Sequence, residues 1–141
     1  MSFSVNYLRI ILNIFLLLAI ISFSFILREM SLRNWHGPGG SITTDLYIPS
    51  IMFACGKGFV NADPQQIPQL RQFLDFNIQK LTPEEIPPNF TKLELDQYQQ
   101  YHRYLIYTVG FLWRFTGVSW ESLRIFLATI FSLSATWVFF I

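Results

Sequence analysis

One carboxylate in this sequence is placed for acid–base chemistry. Asp45 follows the glycine-rich stretch HGPGGSITT, at positions 36–44, and precedes a short apolar segment. An acid between a flexible glycine turn and a membrane segment is where an enzyme acting on a lipid-linked substrate needs a general base. The alternative is that Asp45 begins a helix and caps its backbone N–H groups, which is the commoner role of such a residue.

Other catalytic and metal-binding arrangements are not predicted. His36 and His102 have no nucleophile motif such as GxSxG beside them, and HGPGGS lacks the flanking strand and the spacing of a dinucleotide-binding loop. The single cysteine, Cys55, excludes a disulfide within the chain, and no Cys/His spacing for a zinc site exists. We therefore expect no metal ligands and no cofactor from these residues.

The composition argues against an ordinary cytosolic enzyme. Of the 141 residues, 52% are hydrophobic, 18% aromatic and 13% charged, whereas a soluble domain carries about 25% charged residues. The formal net charge is +1, and no basic cluster is dense enough to neutralise a row of phosphates, so a nucleic-acid partner is not expected.

The distribution of apolar residues predicts an all-α membrane protein with about three transmembrane helices and a large external loop. Residues 10–27 carry no charge and are long enough to span a hydrocarbon layer of about 30 Å. A cleaved signal peptide is the competing interpretation, but its apolar region is usually about 7–15 residues, and no small-residue cleavage site follows Leu27. Residues 28–103 hold all seven prolines and eight of the nine acids, as a water-facing segment does.

The remaining boundaries follow from the turn and charge signals. Gly117 and Ser119 predict a helix end and a helix start, with Glu121 in the first turn of the last helix. The stretch at 104–115 is short, so it either spans the membrane or lies in its interface. The predicted organisation is a cytoplasmic amino terminus at 1–9, transmembrane helix 1 at 10–27, an external loop with juxtamembrane helices at 28–103, a transmembrane or interfacial helix 2 at 104–115, a turn at 116–120 and transmembrane helix 3 at 121–141.

The positive-inside rule sets the expected orientation of this integral, multi-pass membrane protein. With a cytoplasmic amino terminus, Arg9 lies inside, and so do Arg114 and Arg124 beside the short turn. Residues 28–103 then lie outside, where a loop of this length has little influence on orientation.

Two short helices are predicted in the external loop. Residues 48–55 form one, with Pro49 near its start, and Gly56 and Gly58 end it. A second helix is predicted from the helical spacing of five apolar residues: Ile67, Leu70, Leu74, Ile78 and Leu81.

Taken in order, three stretches resemble the amino-terminal end of a GT-C type membrane glycosyltransferase, the superfamily of protein O-mannosyltransferase-like and lipid A aminoarabinose transferase-like enzymes. The first is Asp45 in TTDLYIPSIMFACGKGF, which is similar to the acid, short helix and Gly-x-Gly-Phe ending of the first external loop in that superfamily. The second is the amphipathic segment at 66–81. The third is HRYLIYTVGFLWRFTGVSWESLRIFLATIFSLSA, with its Gly-x-Ser turn and Leu-Arg start.

The resemblance implies transfer of a sugar from a polyprenyl-phosphate donor to an acceptor at the external membrane face. Asp45 would deprotonate the acceptor hydroxyl, with inversion at the anomeric carbon. Arg103, Lys57 and Arg33 are the candidate partners of the donor phosphate, Arg103 being preferred. The resemblance leaves open whether a divalent metal takes part. The implied partners are membrane lipid, the lipid-linked donor, and the rest of a polytopic protein or another membrane subunit.

The alternative is a small non-catalytic multi-pass membrane protein that acts as a scaffold or subunit. The chain stops at Ile141 within an apolar run that has no flanking Lys or Arg. We therefore expect it to be the first part of a longer polytopic protein or the product of a shortened gene, and to be inactive alone.

Overall fold

The computed structural model describes residues 2–35, 37–38 and 44–139, and it is mostly helical, with 67% helix and 6% strand. The helices are α1 (Ser2–Ser31), α2 (Ile48–Ala54), α3 (Pro68–Leu74), α4 (Gln97–Tyr101), α5 (Arg103–Thr116) and α6 (Trp120–Phe139), with short 3-10 turns at Pro64–Gln66 and Pro83–Glu85. The strands are β1 (Asn61–Ala62), β2 (Lys80–Leu81), β3 (Lys92–Leu93) and β4 (Val118–Ser119). Most of the glycine-rich stretch before Asp45, with His36, lies outside the described residues.

The chain divides into two compact units. The first comprises residues 1–34 and 125–141, and the second comprises residues 35–124. Helix α6 begins in the second unit and continues into the first. The apolar run at 10–27 therefore belongs to the first unit, whereas the run at 104–115 belongs to the second.

In the first unit, α1 has the properties of a membrane-spanning helix. Tyr7–Ser31 has a mean hydropathy of 2.8 and is long and apolar enough to cross a membrane, as judged by length and composition. It is the one described helix that meets this requirement, so the expectation of three spans is not supported.

The hydroxyl groups in the carboxyl-terminal part of α6 are satisfied within the helix. Ser132 donates its hydroxyl to the Ala128 carbonyl oxygen at 2.8 Å, and Thr136 donates to the Ser132 carbonyl oxygen at 2.9 Å. Thr129 and Ser134 make the same bond to the carbonyl oxygen four residues earlier. Such bonds let polar side chains occupy an apolar environment without an unpaired donor.

The second unit is built around packed aromatic rings. The Trp120 ring stacks on Phe73 at 4.6 Å between centroids, and its indole N–H donates to the Phe73 carbonyl oxygen at 3.0 Å. Trp113 lies edge-on to Trp120 at 5.6 Å and donates its indole N–H to the Ser119 carbonyl oxygen. Both tryptophans are almost completely buried, at 1% exposed, so their polar N–H groups need these partners.

Helix α2 packs closely against α5. Ser50 donates its hydroxyl to the Ile106 carbonyl oxygen at 2.7 Å, and both groups are buried. A Cβ on Gly110 would lie 3.1 Å from a ring carbon of Phe59, so the absence of a side chain there allows the close approach. One face of α5 is thus buried by packing within the second unit.

The turn after α5 leads into a strand that pairs with β2. Gly117, at φ 82°, ends α5, and the chain then forms β4, which pairs antiparallel with β2. Lys80 lies opposite Ser119, and Leu81 opposite Val118. The ladder therefore joins the turn after α5 to residues 80–81.

The sequence prediction for α3 was too long. The helix ends at Leu74 rather than continuing to Leu81, because Phe76 adopts a left-handed conformation with φ 63°. Leu81 is buried, but it belongs to β2. The apolar spacing therefore predicted the burial of Leu81 correctly but placed it in a helix, whereas it lies in a strand.

Candidate functional site

Asp45 lies just before α2 but does not cap it. The N-cap of α2 is Tyr47, which makes no side-chain capping bond. The Asp45 Oδ1 atom is buried and has no hydrogen-bond partner within the described part of the chain. A buried carboxylate oxygen without a partner is unusual, because its lost hydration is not replaced. The cap interpretation is therefore not observed, and the carboxyl is left available for chemistry.

The charges around Asp45 have opposing effects on its pKa. Burial raises the pKa of the Asp45 carboxyl above its ordinary value of 3.8, Arg71 lowers it, and Asp75 and Asp96 raise it. After burial, Arg71 has the largest effect on this pKa, and its Nε atom also pairs with Asp75 Oδ2 at 2.7 Å. A carboxylate with a raised pKa binds a proton more readily than an exposed one, as a general base requires.

The main chain at Asp45 is held by a glutamine that the sequence analysis did not identify. Gln99 is 1% exposed and donates its side-chain N–H to the Asp45 carbonyl oxygen at 3.1 Å. It also forms a capping box with Asp96 at the start of α4: the Gln99 backbone N–H donates to Asp96 Oδ1 at 2.7 Å, and Gln99 Oε1 accepts from the Asp96 backbone N–H at 3.1 Å. The spacing Asp96-x-x-Gln99 is a capping-box signal that could have located this helix start.

Two cavities adjoin the far end of α4, and Arg103 lines both. The first has a volume of about 540 Å³ and the second about 450 Å³. The first is lined by Phe59, Val60, Lys92, Leu93, Glu94, Leu95, Gln100, Arg103 and Tyr107. The second is lined by Gln97, Gln100, Tyr101, Arg103 and Tyr104. The first cavity thus combines apolar walls with two cations and the Glu94 carboxylate. The second is lined by amide and phenol groups together with Arg103.

The Arg103 guanidinium is exposed and only lightly engaged. Its Nη2 atom donates to the Tyr104 hydroxyl at 3.2 Å, and its carbon lies 5.0 Å from the centroid of the Tyr104 ring. No carboxylate among the described residues pairs with it or with Lys92. These cations can therefore meet an anionic ligand without first breaking an ion pair.

Neither Lys57 nor Arg33 lines these two cavities. Lys57 follows α2, where its ammonium acts on Cys55, whose pKa is raised by burial to about 11. Arg33 is exposed and belongs to the first unit, whereas Asp45 and Arg103 belong to the second. Of the three basic residues named from the sequence, Arg103 is the one that lines these two cavities.

Asp45 and Arg103 are joined through α4 rather than by direct contact. Gln99, near the middle of α4, holds the main chain of Asp45, and Arg103 stands two residues after the last residue of α4. The His102 side chain contacts its own helix, because its Nδ1 atom lies 3.0 Å from the Tyr98 carbonyl oxygen. Within the described ranges, no three His, Cys, Asp or Glu side chains are grouped closely enough to hold a metal ion.

Comparison of the chain with protein-family models, with curated proteins and with solved structures found no match.

Proposed function

We propose that this chain is the amino-terminal part of a membrane glycosyltransferase of the GT-C type, which uses a polyprenyl-phosphate-linked sugar as donor. The observation that carries the proposal is the Asp45 carboxyl, with its buried, unpartnered oxygen and raised pKa. It is supported by the position of Asp45 in the stretch TTDLYIPSIMFACGKGF, where the resemblance to that superfamily expects an acid.

In this proposal Asp45 is the general base. Its carboxylate takes the proton of an acceptor hydroxyl as the acceptor oxygen attacks the anomeric carbon of the donor. The bond from that carbon to the phosphate oxygen breaks, the configuration inverts, and polyprenyl phosphate leaves with its negative charge. A partly buried base suits this step, because its raised pKa improves proton transfer from a hydroxyl.

Arg103 is the proposed partner of the donor phosphate. It stands where a cavity with apolar walls meets one with hydrogen-bonding walls. An amphipathic anion fits such a pair of cavities: the hydrocarbon lies along Leu93 and Leu95, the phosphate meets Arg103, and the sugar hydroxyls meet Gln97 and Tyr101. Binding of the lipid tail in the membrane supplies proximity for the reaction.

The proposed topology has one membrane-crossing helix in this chain, α1. Helix α5 with 14 residues reaches only about 21 Å at 1.5 Å per residue, and the part of α6 beyond the second unit, residues 125–139, reaches only about 22 Å. The second unit begins four residues after α1 ends. Arg9 favours a cytoplasmic amino terminus, which places residues 35–124 outside.

In this topology α5 lies on the membrane surface. Its buried face packs in the second unit, while Tyr104 is 73% exposed, Phe111 51% and Phe115 86%. Aromatic side chains of this kind partition to the membrane interface, and arginines at the helix ends reach the head groups. Arg103 would then stand at the level of lipid phosphates.

The test is transfer of a labelled sugar in membranes that contain the complete protein carrying this chain. Asp45→Asn is expected to abolish transfer while membrane insertion is retained. Asp63→Asn is the matched control, because Asp63 caps a 3-10 turn by accepting the Gln65 N–H, a role that asparagine also fills. Retained transfer in Asp45→Asn would overturn the assigned base, whereas absence of transfer in the natural protein would favour the non-catalytic scaffold.

A further inference from the structure

The apolar wall of the first cavity contains the ring of Phe59. This ring is stacked on Phe53, with 3.9 Å between the centroids and 14° between the planes, and it meets the Tyr107 ring edge-on at 4.2 Å. Phe59 and Tyr107 both line the cavity, whereas Phe53 supports the wall from behind. Because aromatic pairs at these distances attract each other beyond their burial, the Phe59 ring has a defined place in the wall.

The two stacked rings pack against Gly110 of α5. A Cβ on Gly110 would lie 3.1 Å and 3.2 Å from two ring carbons of Phe59, and 3.2 Å from a ring carbon of Phe53. Contacts between carbon atoms are most favourable at about 3.5–4.0 Å, so a side chain at this position would displace the rings. The absence of a side chain at Gly110 therefore sets the place of Phe59 in the cavity wall.

The same cavity holds two cations and one carboxylate. Lys92 comes from β3, Arg103 is the first residue of α5, and Glu94 supplies the carboxylate. Within the described part of the chain, neither Lys92 nor Arg103 forms an ion pair. Two positive charges against one negative charge leave a net positive charge, which favours an anionic ligand.

An apolar wall beside unpaired cations fits an amphipathic phosphate. A free phosphate would use the cations and leave the wall in water, whereas an uncharged hydrocarbon would leave the cations without a partner. The volume of about 540 Å³ is that of a small-molecule pocket, which accommodates a phosphate and the first part of a hydrocarbon chain. A prenyl monophosphate uses both features.

We propose that Phe59 is a specificity-determining residue of the first cavity, which contacts the hydrocarbon next to the phosphate of a prenyl monophosphate, and that Gly110 positions its ring. The choice of a prenyl monophosphate as ligand rests on the proposed function, whereas the place of Phe59 in the wall is a feature of the fold. The consequence is that this cavity discriminates against phosphates that carry no hydrocarbon.

Photo-crosslinking tests the role of Phe59. The probe is farnesyl monophosphate with a diazirine on its first isoprene unit, added to the full chain in phosphatidylcholine nanodiscs. Affinity is measured by displacement of the probe with unlabelled farnesyl monophosphate. We expect Phe59→Ala to weaken this affinity about fivefold, because the hydrocarbon loses an apolar contact. Phe59→Leu takes its place where the alanine variant does not fold, and a loss is expected there too. Unchanged affinity, or no saturable crosslinking of the natural chain, would overturn the proposal.

Phe111→Ala is the matched control. Phe111 belongs to the same aromatic cluster, with its ring centroid 4.9 Å from that of Phe53 and 6.3 Å from that of Phe59, but it does not line the first cavity. Its replacement should leave the affinity unchanged. An equal loss in Phe59→Ala and Phe111→Ala would overturn the proposal, since it would result from loosening of the whole cluster.

Three competitors identify the ligand class. Inorganic phosphate and farnesol each carry one half of the probe, and each should displace it far less well than farnesyl monophosphate does. Nanodiscs that contain phosphatidylglycerol test a membrane phospholipid as the occupant. Displacement of the probe by inorganic phosphate, by farnesol or by phosphatidylglycerol as effective as that by farnesyl monophosphate would overturn the assigned ligand.

Gly110→Ala tests the positioning. Alanine favours a helix more than glycine does, so a loss of binding would not result from unfolding of α5. The affinity for farnesyl monophosphate is expected to fall when Phe59 is present and to stay unchanged when the substitution is added to Phe59→Ala. Equal losses in the two backgrounds would overturn the role of Gly110.

These outcomes are distinguishable from failure of the proposed function. If the complete protein transfers no sugar while Phe59→Ala weakens binding and Phe111→Ala does not, the binding site stands and the transferase assignment fails. If sugar is transferred while Phe59→Ala binds the probe as the natural chain does, the role of Phe59 fails and the transferase assignment stands.

Discussion

Gln99 donates its side-chain N–H to the main-chain oxygen of Asp45 at 3.1 Å, across 54 positions of the sequence. The same amide group accepts the Asp96 N–H through its oxygen, so both halves of the side chain are used. This one buried residue joins the segment carrying the proposed base to the helix beside the cavities.

Replacement of Gln99 by leucine is expected to destabilise the second unit. The substitution leaves the Asp45 carbonyl oxygen and the Asp96 N–H without their partner, and both of these hydrogen bonds are partly buried. Loss of such a partner costs about 1–3 kcal/mol for a fully buried group and less for a partly buried one. Thermal unfolding of Gln99→Leu should therefore show a clear loss of Tm. Gln100→Leu is the control, because Gln100 is exposed and donates to the Leu95 carbonyl oxygen at the surface. Equal losses in the two variants would contradict the role of Gln99.

Asp45 is expected to lower stability at neutral pH. Because burial raises its pKa above 3.8, its contribution to stability is fully present below the unfolded-state value and is lost as the pH rises through the folded-state value. Asp45→Asn has no charge to bury. Its Tm should exceed that of the natural chain by a few degrees at pH 7 and by less at pH 3.5.

The control for this pH dependence is Asp63→Asn, in which the replaced acid is a cap with no buried, unpartnered oxygen. The difference in Tm between Asp63→Asn and the natural chain should not become larger between pH 3.5 and pH 7. A Tm difference for Asp45→Asn that is the same at both pH values would show that the carboxyl is not destabilised by burial.

Local signals in the sequence predicted the helix boundaries that depend on local chemistry. Pro49 near the start of α2 and Gly56 after it mark that helix, and Gly117 and Ser119 mark the turn between α5 and α6. The Ser119 hydroxyl oxygen accepts the Glu121 N–H at 3.2 Å, as an N-cap does. These features could be predicted because each depends on the conformational preferences of one residue and its near neighbours.

Features that depend on distant partners could not be predicted in this way. The pairing of Lys80 with Ser119 joins the turn after α5 to a strand that lies far away in the sequence, and no local pattern encodes it. The setting of Asp45 likewise depends on Gln99 and Arg71, which are distant in the sequence. Apolar periodicity reports burial but does not determine whether a short segment is helix or strand, as Leu81 illustrates.

Replacement of Arg103 by glutamine is expected to weaken binding of a polyprenyl phosphate by about tenfold or more, equivalent to about 1.4 kcal/mol. The loss follows from removal of a charge-assisted hydrogen bond to the phosphate. The measurement is photo-crosslinking of a photoreactive polyprenyl monophosphate to the full chain in nanodiscs.

Two matched variants accompany Arg103→Gln. Arg114→Gln removes an exposed arginine at the other end of α5, and Lys57→Gln removes a residue that lines neither cavity. Both should bind almost as well as the natural chain. An equal loss in all three variants would indicate general attraction to anionic lipid, and no loss in Arg103→Gln would rule out this phosphate site.

Cysteine labelling can decide whether α5 crosses the membrane. In a Cys55→Ser background, single cysteines replace Glu94 and Thr116, which are both exposed. Because the β2–β4 ladder joins the turn after α5 to the polar segment, a membrane-impermeant maleimide should label both positions from the same side of sealed vesicles. Labelling of the two positions from opposite sides would instead establish α5 as a membrane-crossing helix. That result would also contradict the pairing of Lys80 with Ser119, because two strands of two residues each are too short to reach across a bilayer.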